Sequence, residues 1–157
     1  MTFIAGPYTV TYGGNTLGIT ERGFELEYTS FAEPIIGDNL GDSKQDGVYR
    51  GGNLFINFIL SEMDLAGVQA AFWPYGTIGT VGQVGRLQTN IAGALAFSEV
   101  AGTTAAAEAN LDNFTVTKAI LAEGFDVRIL LSAAHRKIPM RLQALPTGGT
   151  PAWFTLT

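Results

Sequence analysis

Hydrophobic and polar residues alternate over much of this chain, and this period of two predicts a protein built mainly from β-strands. In residues 23–31, Phe24, Leu26 and Tyr28 alternate with polar side chains. A strand of this kind turns one apolar face toward a core and one polar face toward water. Residues 53–60 are apolar at nearly every position, so we expect that strand to be covered on both faces.

The other strands are predicted from the same alternation and from the glycine and proline residues between them. Residues 8–12 and 16–20 form a predicted hairpin, because Gly13, Gly14 and Asn15 tolerate the positive φ angles of a tight turn. The later candidates are residues 86–98, 113–123, 125–132, 136–145 and 152–156. Seven or eight strands without alternating helices predict a mainly β fold, an antiparallel β-sandwich or barrel.

One flanking helix is predicted at about residues 62–72. Ser61 is the expected N-cap, and the acidic residues Glu62 and Asp64 suit the positive end of the helix dipole. Pro74 then ends the helix. A helix of about three turns is too short for a bundle, so we expect it to pack singly on the sheet.

Residues 36–52 are rich in glycine and charge, which predicts a long loop and not a third core strand. Loops of this length in a compact chain often have a function, and we expect this one to be an assembly loop. Its charged residues suit ion pairs between copies, which are individually weak but repeat along a polymer. The candidates are Asp38, Asp42, Lys44, Asp46 and Arg50.

Composition also favours an assembled protein. Only 15% of the 157 residues are charged, against about 25% in an average soluble domain, so we expect part of the surface to be buried by partners. Residues 1–64 hold nine acidic and three basic side chains, whereas residues 113–157 hold two acidic and five basic ones. This polarity suits head-to-tail stacking of copies, although a scatter of charges without spatial meaning is the alternative.

Motifs for catalysis or ligand binding are weak in this sequence. The absence of cysteine excludes disulfides, thiolate metal sites and cysteine nucleophiles. His135 is a single histidine next to basic residues, and the pair Glu25 and Glu27 is better explained as a solvated acidic strand face than as a glycosidase pair. We therefore expect no enzyme activity, no cofactor and no metal. No segment has the pattern of a membrane span or a signal peptide.

Three segments carry a resemblance to a known family: LGITERGFELEYTS at residues 17–30, YRGGNLFINFILSEMDLAGVQAAFWP at 49–74 and RKIPMRLQALPTGGTPAWFTLT at 136–157. They resemble the major tail tube proteins of tailed bacteriophages and of gene-transfer-agent particles. The similar region covers residues 8–74 and 136–157. The alanine-rich middle of the chain does not contribute to it.

This resemblance implies a structural protein of the virion tail, with residues 1–157 as one tail-tube-like β domain assembled in the host cytoplasm. Six copies would form a ring, and stacked rings would form the tube that conducts genome DNA into the host. The implied partners are other copies, the tail terminator, baseplate and tape-measure proteins, and DNA that passes without sequence-specific binding. Because carboxylates repel phosphates, we expect Glu25 and Glu27 to face the lumen.

Three alternatives stay open at this point. A tube protein of the type VI secretion kind or a tail-end or baseplate ring protein would share the architecture. A carbohydrate-binding β-sandwich is the more distant alternative, and it requires exposed aromatic side chains, for which Trp73, Tyr75 and Trp153 are the candidates.

Overall fold

Seven strands and two α-helices make up residues 7–99, 113–126, 137–146 and 152–156, which are the part of the chain described by a computed structural model. The mainly β, antiparallel prediction is confirmed. The elements in chain order are β1 (Tyr8–Tyr12), β2 (Asn15–Ile36), β3 (Lys44–Met63), α1 (Leu65–Phe72), α2 (Gln88–Ile91), β4 (Gly93–Glu99), β5 (Asn113–Leu121), β6 (Ile138–Ala144) and β7 (Phe154–Leu156).

The strands form one sheet in the order β4-β1-β2-β3-β6-β5-β7, and every pairing is antiparallel. An additional pairing joins β4 to β5, so that six strands close into a barrel. The short strand β7 lies beside the first half of β5, where Val116 is opposite Phe154. Closure pairs backbone N–H and C=O groups that the edge strands of an open sheet would leave without partners.

The barrel interior is filled by the alternate residues of its strands, as the period of two predicts. Phe97 lies in the middle, with its ring centroid 4.3 Å from that of Phe24 and 5.2 Å from that of Phe58. Offset and edge-on aromatic contacts of this kind add to the free energy of burial. The largest fully buried side chains also include Leu17, Ile56, Leu60, Leu95, Phe114, Ile120, Met140 and Leu142.

The helix α1 begins later than predicted and has a different cap. Asp64 accepts hydrogen bonds from the backbone amides of Ala66 at 3.0 Å and Gly67 at 3.4 Å, so it is the N-cap. Ser61 remains in β3, and its Oγ donates to a main-chain carbonyl of β2. Strand pairing with β2 therefore keeps the chain extended past the expected cap. The helix ends before Pro74, as predicted.

The connection between β2 and β3 is much shorter than the predicted loop of residues 36–52. It consists of residues 37–43 with one 3-10 turn at Asp38–Leu40, and β3 already begins at Lys44. Glycines allow this long pairing, because Gly51 adopts a φ of 103° at a shift in register between the strands. The polar composition of this stretch reflects exposure on a two-stranded hairpin and not the absence of a strand.

Two other predicted strands differ from the structure or lie partly outside the described residues. The strand expected at residues 86–98 is divided, since α2 occupies its first part and β4 begins at Gly93. The strand expected at residues 125–132 is not formed at Phe125 and Asp126, and its remainder lies outside the described residues, as does His135.

Candidate assembly surface

The hairpin of β2 and β3 extends beyond the barrel as an arm, defined here as residues 29–52. Strand β6 pairs with β3 only from Leu54 to Leu60, and β1 pairs with β2 only as far as Ile19. Within the described ranges, the two strands of the arm therefore pair only with each other. An isolated two-stranded hairpin is marginally stable in water, so the arm is the part of the fold that gains most from a further neighbour.

Apolar side chains occupy both faces of the arm. Val48 is paired with Glu33 and shares a face with Phe31, whereas Tyr49 is paired with Ala32 on the opposite face. All of the large apolar side chains here are exposed, namely Phe31, Ile35, Ile36, Leu40, Val48 and Tyr49. Sequence reasoning missed these residues because it considered only charge in this stretch. The available signal was the pairs of adjacent apolar residues, Ile35 with Ile36 and Val48 with Tyr49, in an otherwise polar stretch.

The charged residues predicted to join copies all lie on the arm, but they differ in what they contact. Arg50 forms an ion pair across the arm with Glu33, within the same chain. Asp46 accepts a hydrogen bond from the backbone of Gly47 at 2.7 Å. The remaining predicted residues are Asp38, Asp42 and Lys44. Their side chains are exposed and make no ion pair or hydrogen bond with any other described residue.

The two predicted lumen residues lie on the outer face of the barrel but in different environments. Glu27 Oε2 accepts hydrogen bonds from Arg141 Nη1 at 2.7 Å and from Asn57 Nδ2 at 3.2 Å. The guanidinium group of Arg141 also lies 4.1 Å from the ring centroid of Phe55. Glu25 is exposed, and its side chain makes no hydrogen bond or ion pair in the part of the chain that is described.

The hydrogen bond from Arg141, followed by that from Asn57, lowers the pKa of Glu27 below its ordinary value. The carboxylate is thus held in its charged form, but the guanidinium beside it neutralises its field. Of the two residues, Glu25 alone offers an uncompensated negative charge to the surface among described partners. The acidic face is therefore weaker than the sequence suggests.

The arm joins the barrel at an aromatic contact that includes Tyr28. Its hydroxyl lies 2.9 Å from that of Tyr49, and its ring centroid lies 5.5 Å from that of Trp153. The hydrogen bond with Tyr49 raises the pKa of Tyr28. Leu26 and Tyr28 point to the core face as their alternation predicts, but both are exposed because the barrel wall ends beside them.

A second exposed apolar surface is the valine loop, defined here as residues 76–87 between α1 and α2. Val81 and Val84 are 90% and 92% exposed, and Leu87 is 67% exposed. Apolar side chains are rarely presented to water so completely in a group. The sequence alone did not identify this segment as a surface.

The described residues contain little that would support a metal site, a membrane span or a sugar-binding surface. They contain no group of three or more side chains placed to hold a metal ion, and neither of their helices is long and apolar enough to cross a bilayer. Trp73 and Trp153 are half-buried against the core, and the hydroxyl of Tyr75 accepts a hydrogen bond from Gln88. These aromatic side chains are partly covered, whereas a sugar-binding platform needs exposed ring faces.

No family model matches the chain, and no curated protein matches it. The resemblance to tail tube proteins therefore stays a prediction that rests on the three segments quoted above.

Proposed function

We propose that this chain is the subunit of a self-assembled tube, the major tail tube protein of a phage-like particle. The observation that carries the proposal is the arm, a two-stranded hairpin with large apolar side chains on both faces and no neighbouring strand among the described residues. Burial of such a surface provides the free energy for association. The sequence resemblance supplies the kind of assembly, a stack of rings around a channel.

A second copy of the chain is the partner that this surface suits. The proposal places the arm against a different surface of the next copy, so the contact is heterologous. Contacts of that heterologous kind build closed rings or open stacks, whereas a self-complementary patch would give a dimer. Repetition of one weak contact along a tube makes the assembly stable.

The proposal assigns the outer face of β2 to the channel. Glu25 is exposed there, while the charge of Glu27 is balanced by Arg141. A nearly neutral wall with few free lysines would let DNA phosphates pass without being bound. A structure of the assembled tube in which Glu25 points away from the channel would overturn this assignment.

Shortening the arm tests the proposal. We would replace residues 33–48 with Asn-Gly, because Ala32 and Tyr49 are paired and a two-residue turn can close the hairpin there. Negative-stain microscopy should find rings or tubes with an open centre for the full chain. The shortened chain should keep the far-ultraviolet circular dichroism of a β protein but form no tubes.

Two results would contradict the proposal at different levels. A full chain that stays monomeric at high concentration, as measured by light scattering, would reject the tube function. Normal tubes from the shortened chain would retain the tube function and reject the arm as its contact.

A further inference from the structure

The valine loop keeps a defined shape although its apolar side chains are exposed. The backbone amide of Thr80 donates to the carbonyl of Thr77 at 3.1 Å, and that of Gln83 donates to the carbonyl of Tyr75 at 3.1 Å. Gly79, Gly82 and Gly85 supply the positive φ angles that its turns require. Since these hydrogen bonds close the loop on itself, Val81 and Val84 are presented outward by a folded segment.

Arg86 provides the charge of this surface. It lines an open concavity of about 650 Å³ together with Tyr75, Thr80 and Gln83. Its guanidinium group makes no ion pair or hydrogen bond with another described residue. The surface therefore combines exposed aliphatic side chains with one uncompensated positive charge.

The arm tip, defined here as residues 36–42, has the complementary composition. Ile36 and Leu40 are exposed aliphatic side chains, and Asp38 and Asp42 carry carboxylates without an ion pair in the described part of the chain. Aliphatic groups on both sides match, and the charges are opposite. Complementary charge of this kind fixes partner choice and orientation more than it adds affinity.

The two surfaces lie at opposite ends of β2. The valine loop is anchored beside the start of this strand, where α1 packs against Thr16 and the backbone amide of Gly93 donates to the hydroxyl of Tyr12 at 3.3 Å. The arm tip follows the last residue of the same strand, Ile36. At about 3.3 Å per residue, the 22 residues of this strand have a contour length of roughly 70 Å, which is an upper limit on the separation because the strand bends at its register shifts. They are therefore placed to meet between copies and not within one.

We infer that the valine loop is the surface that receives the arm tip of a second copy, with Arg86 facing Asp38 or Asp42. The inference rests on the proposed function, since it names the receiving site of the same contact. A contact between opposite ends of identical subunits is heterologous, and it adds copies along one axis when the rotation between neighbours does not close a ring. It also explains why a short, charge-poor loop exposes four aliphatic side chains, which are Ile78, Val81, Val84 and Leu87.

Cysteine cross-linking in trans tests this contact, because the natural chain has no cysteine. Leu40→Cys and Val84→Cys are made in separate chains, one of them with a mass tag, and are mixed with oxidised glutathione as the oxidant. The control replaces Val84→Cys with Thr117→Cys, an exposed position on β5. Mixed disulfide dimers of the first pair should exceed those of the control pair roughly tenfold, owing to the high local concentration of the thiols.

Charge reversal provides a second measurement. Reversed charges on the arm tip should rescue assembly only if Arg86 contacts that tip, and not if Arg86 merely supports its own loop. Arg86→Glu should raise the concentration needed for assembly roughly tenfold, and Asp38→Arg with Asp42→Arg in the same chain should restore it. Equal cross-linking in the test and control pairs would overturn the inference. If tubes still form in that case, the proposed function survives. Specific cross-linking without tubes would retain the contact and reject the tube.

Discussion

Strands β2 and β3 pair with each other both in the closed barrel and in the exposed arm. The barrel half and the arm half of this strand pair differ in how far their apolar side chains are buried. In the barrel half, Leu54, Ile56 and Phe58 are buried, because β6 and the opposite wall of the barrel cover them. In the arm half, Val48 and Tyr49 are equally apolar and equally paired, yet they are exposed. The number of neighbouring strands, and not the pattern of residues, separates the two environments.

This contrast explains where stability and function are expected to lie. The barrel gains its free energy from burial within the chain, so its core residues should determine folding. Among the described residues nothing covers the arm in this way, so it should contribute little to the stability of an isolated copy. Its exposed apolar side chains are instead accessible to another molecule, which under the proposed function is a second copy. Changes in the barrel and in the arm should therefore have separable effects.

Truncation of one phenylalanine in each half should give the largest difference. Phe97→Ala removes a fully buried ring that contacts three other phenylalanines and should cost about 3–5 kcal/mol of unfolding free energy. Phe31→Ala removes an exposed ring and should cost less than about 0.5 kcal/mol. Urea unfolding of unassembled protein measures both. Similar losses would mean that the arm packs on the barrel of its own chain.

A smaller and local effect is expected at the junction of the two halves. A Cβ atom at Gly52 would lie 2.6 Å from the carbonyl oxygen of Thr29 and 2.8 Å from the ring of Tyr28. Gly52→Ala should therefore displace this ring, separate the strands and cost roughly 1–2 kcal/mol. Hydrogen exchange should rise in the arm and change little in the barrel. If exchange protection were lost equally in the arm and in the barrel, the two halves would not be independent of each other in stability.

The smallest effect concerns one ion pair in each half, Glu27 with Arg141 in the barrel and Glu33 with Arg50 in the arm. The pKa of Glu27 is lowered, so the stability that it contributes is complete above the ordinary value of 4.5 and is lost as the pH falls through the lowered pKa. Glu27→Gln should reduce the loss of stability on acidification, as measured by urea unfolding across pH 2–6. Glu33→Gln, which removes the exposed pair of the arm, is the matched control and should change the free energy of unfolding little.

Nuclear magnetic resonance titration provides a direct check on the same carboxylate. With Arg141→Gln, the pKa of Glu27 should rise toward its ordinary value, since the strongest hydrogen bond is removed. An unchanged pKa would show that Asn57 alone holds the charged form.

Local sequence determined much of the fold. The alternation of apolar residues was enough to predict an antiparallel β protein, and Gly13 and Gly14 marked the first turn, with φ angles of 58° and 86°. Pro74 marked the end of the helix correctly, because proline cannot continue a helix. These features depend on backbone conformations and periodicities that a few neighbouring residues impose.

Only the tertiary structure decided what surrounds each strand. It extended β3 through Ser61 and moved the cap to Asp64, because pairing with β2 stabilises the extended chain there. It also joined Glu27 to Arg141 across 114 positions of sequence, which changed an apparently acidic face into a nearly balanced one. Such contacts depend on the order of strands in the sheet, and the local pattern of residues contains no information about that order.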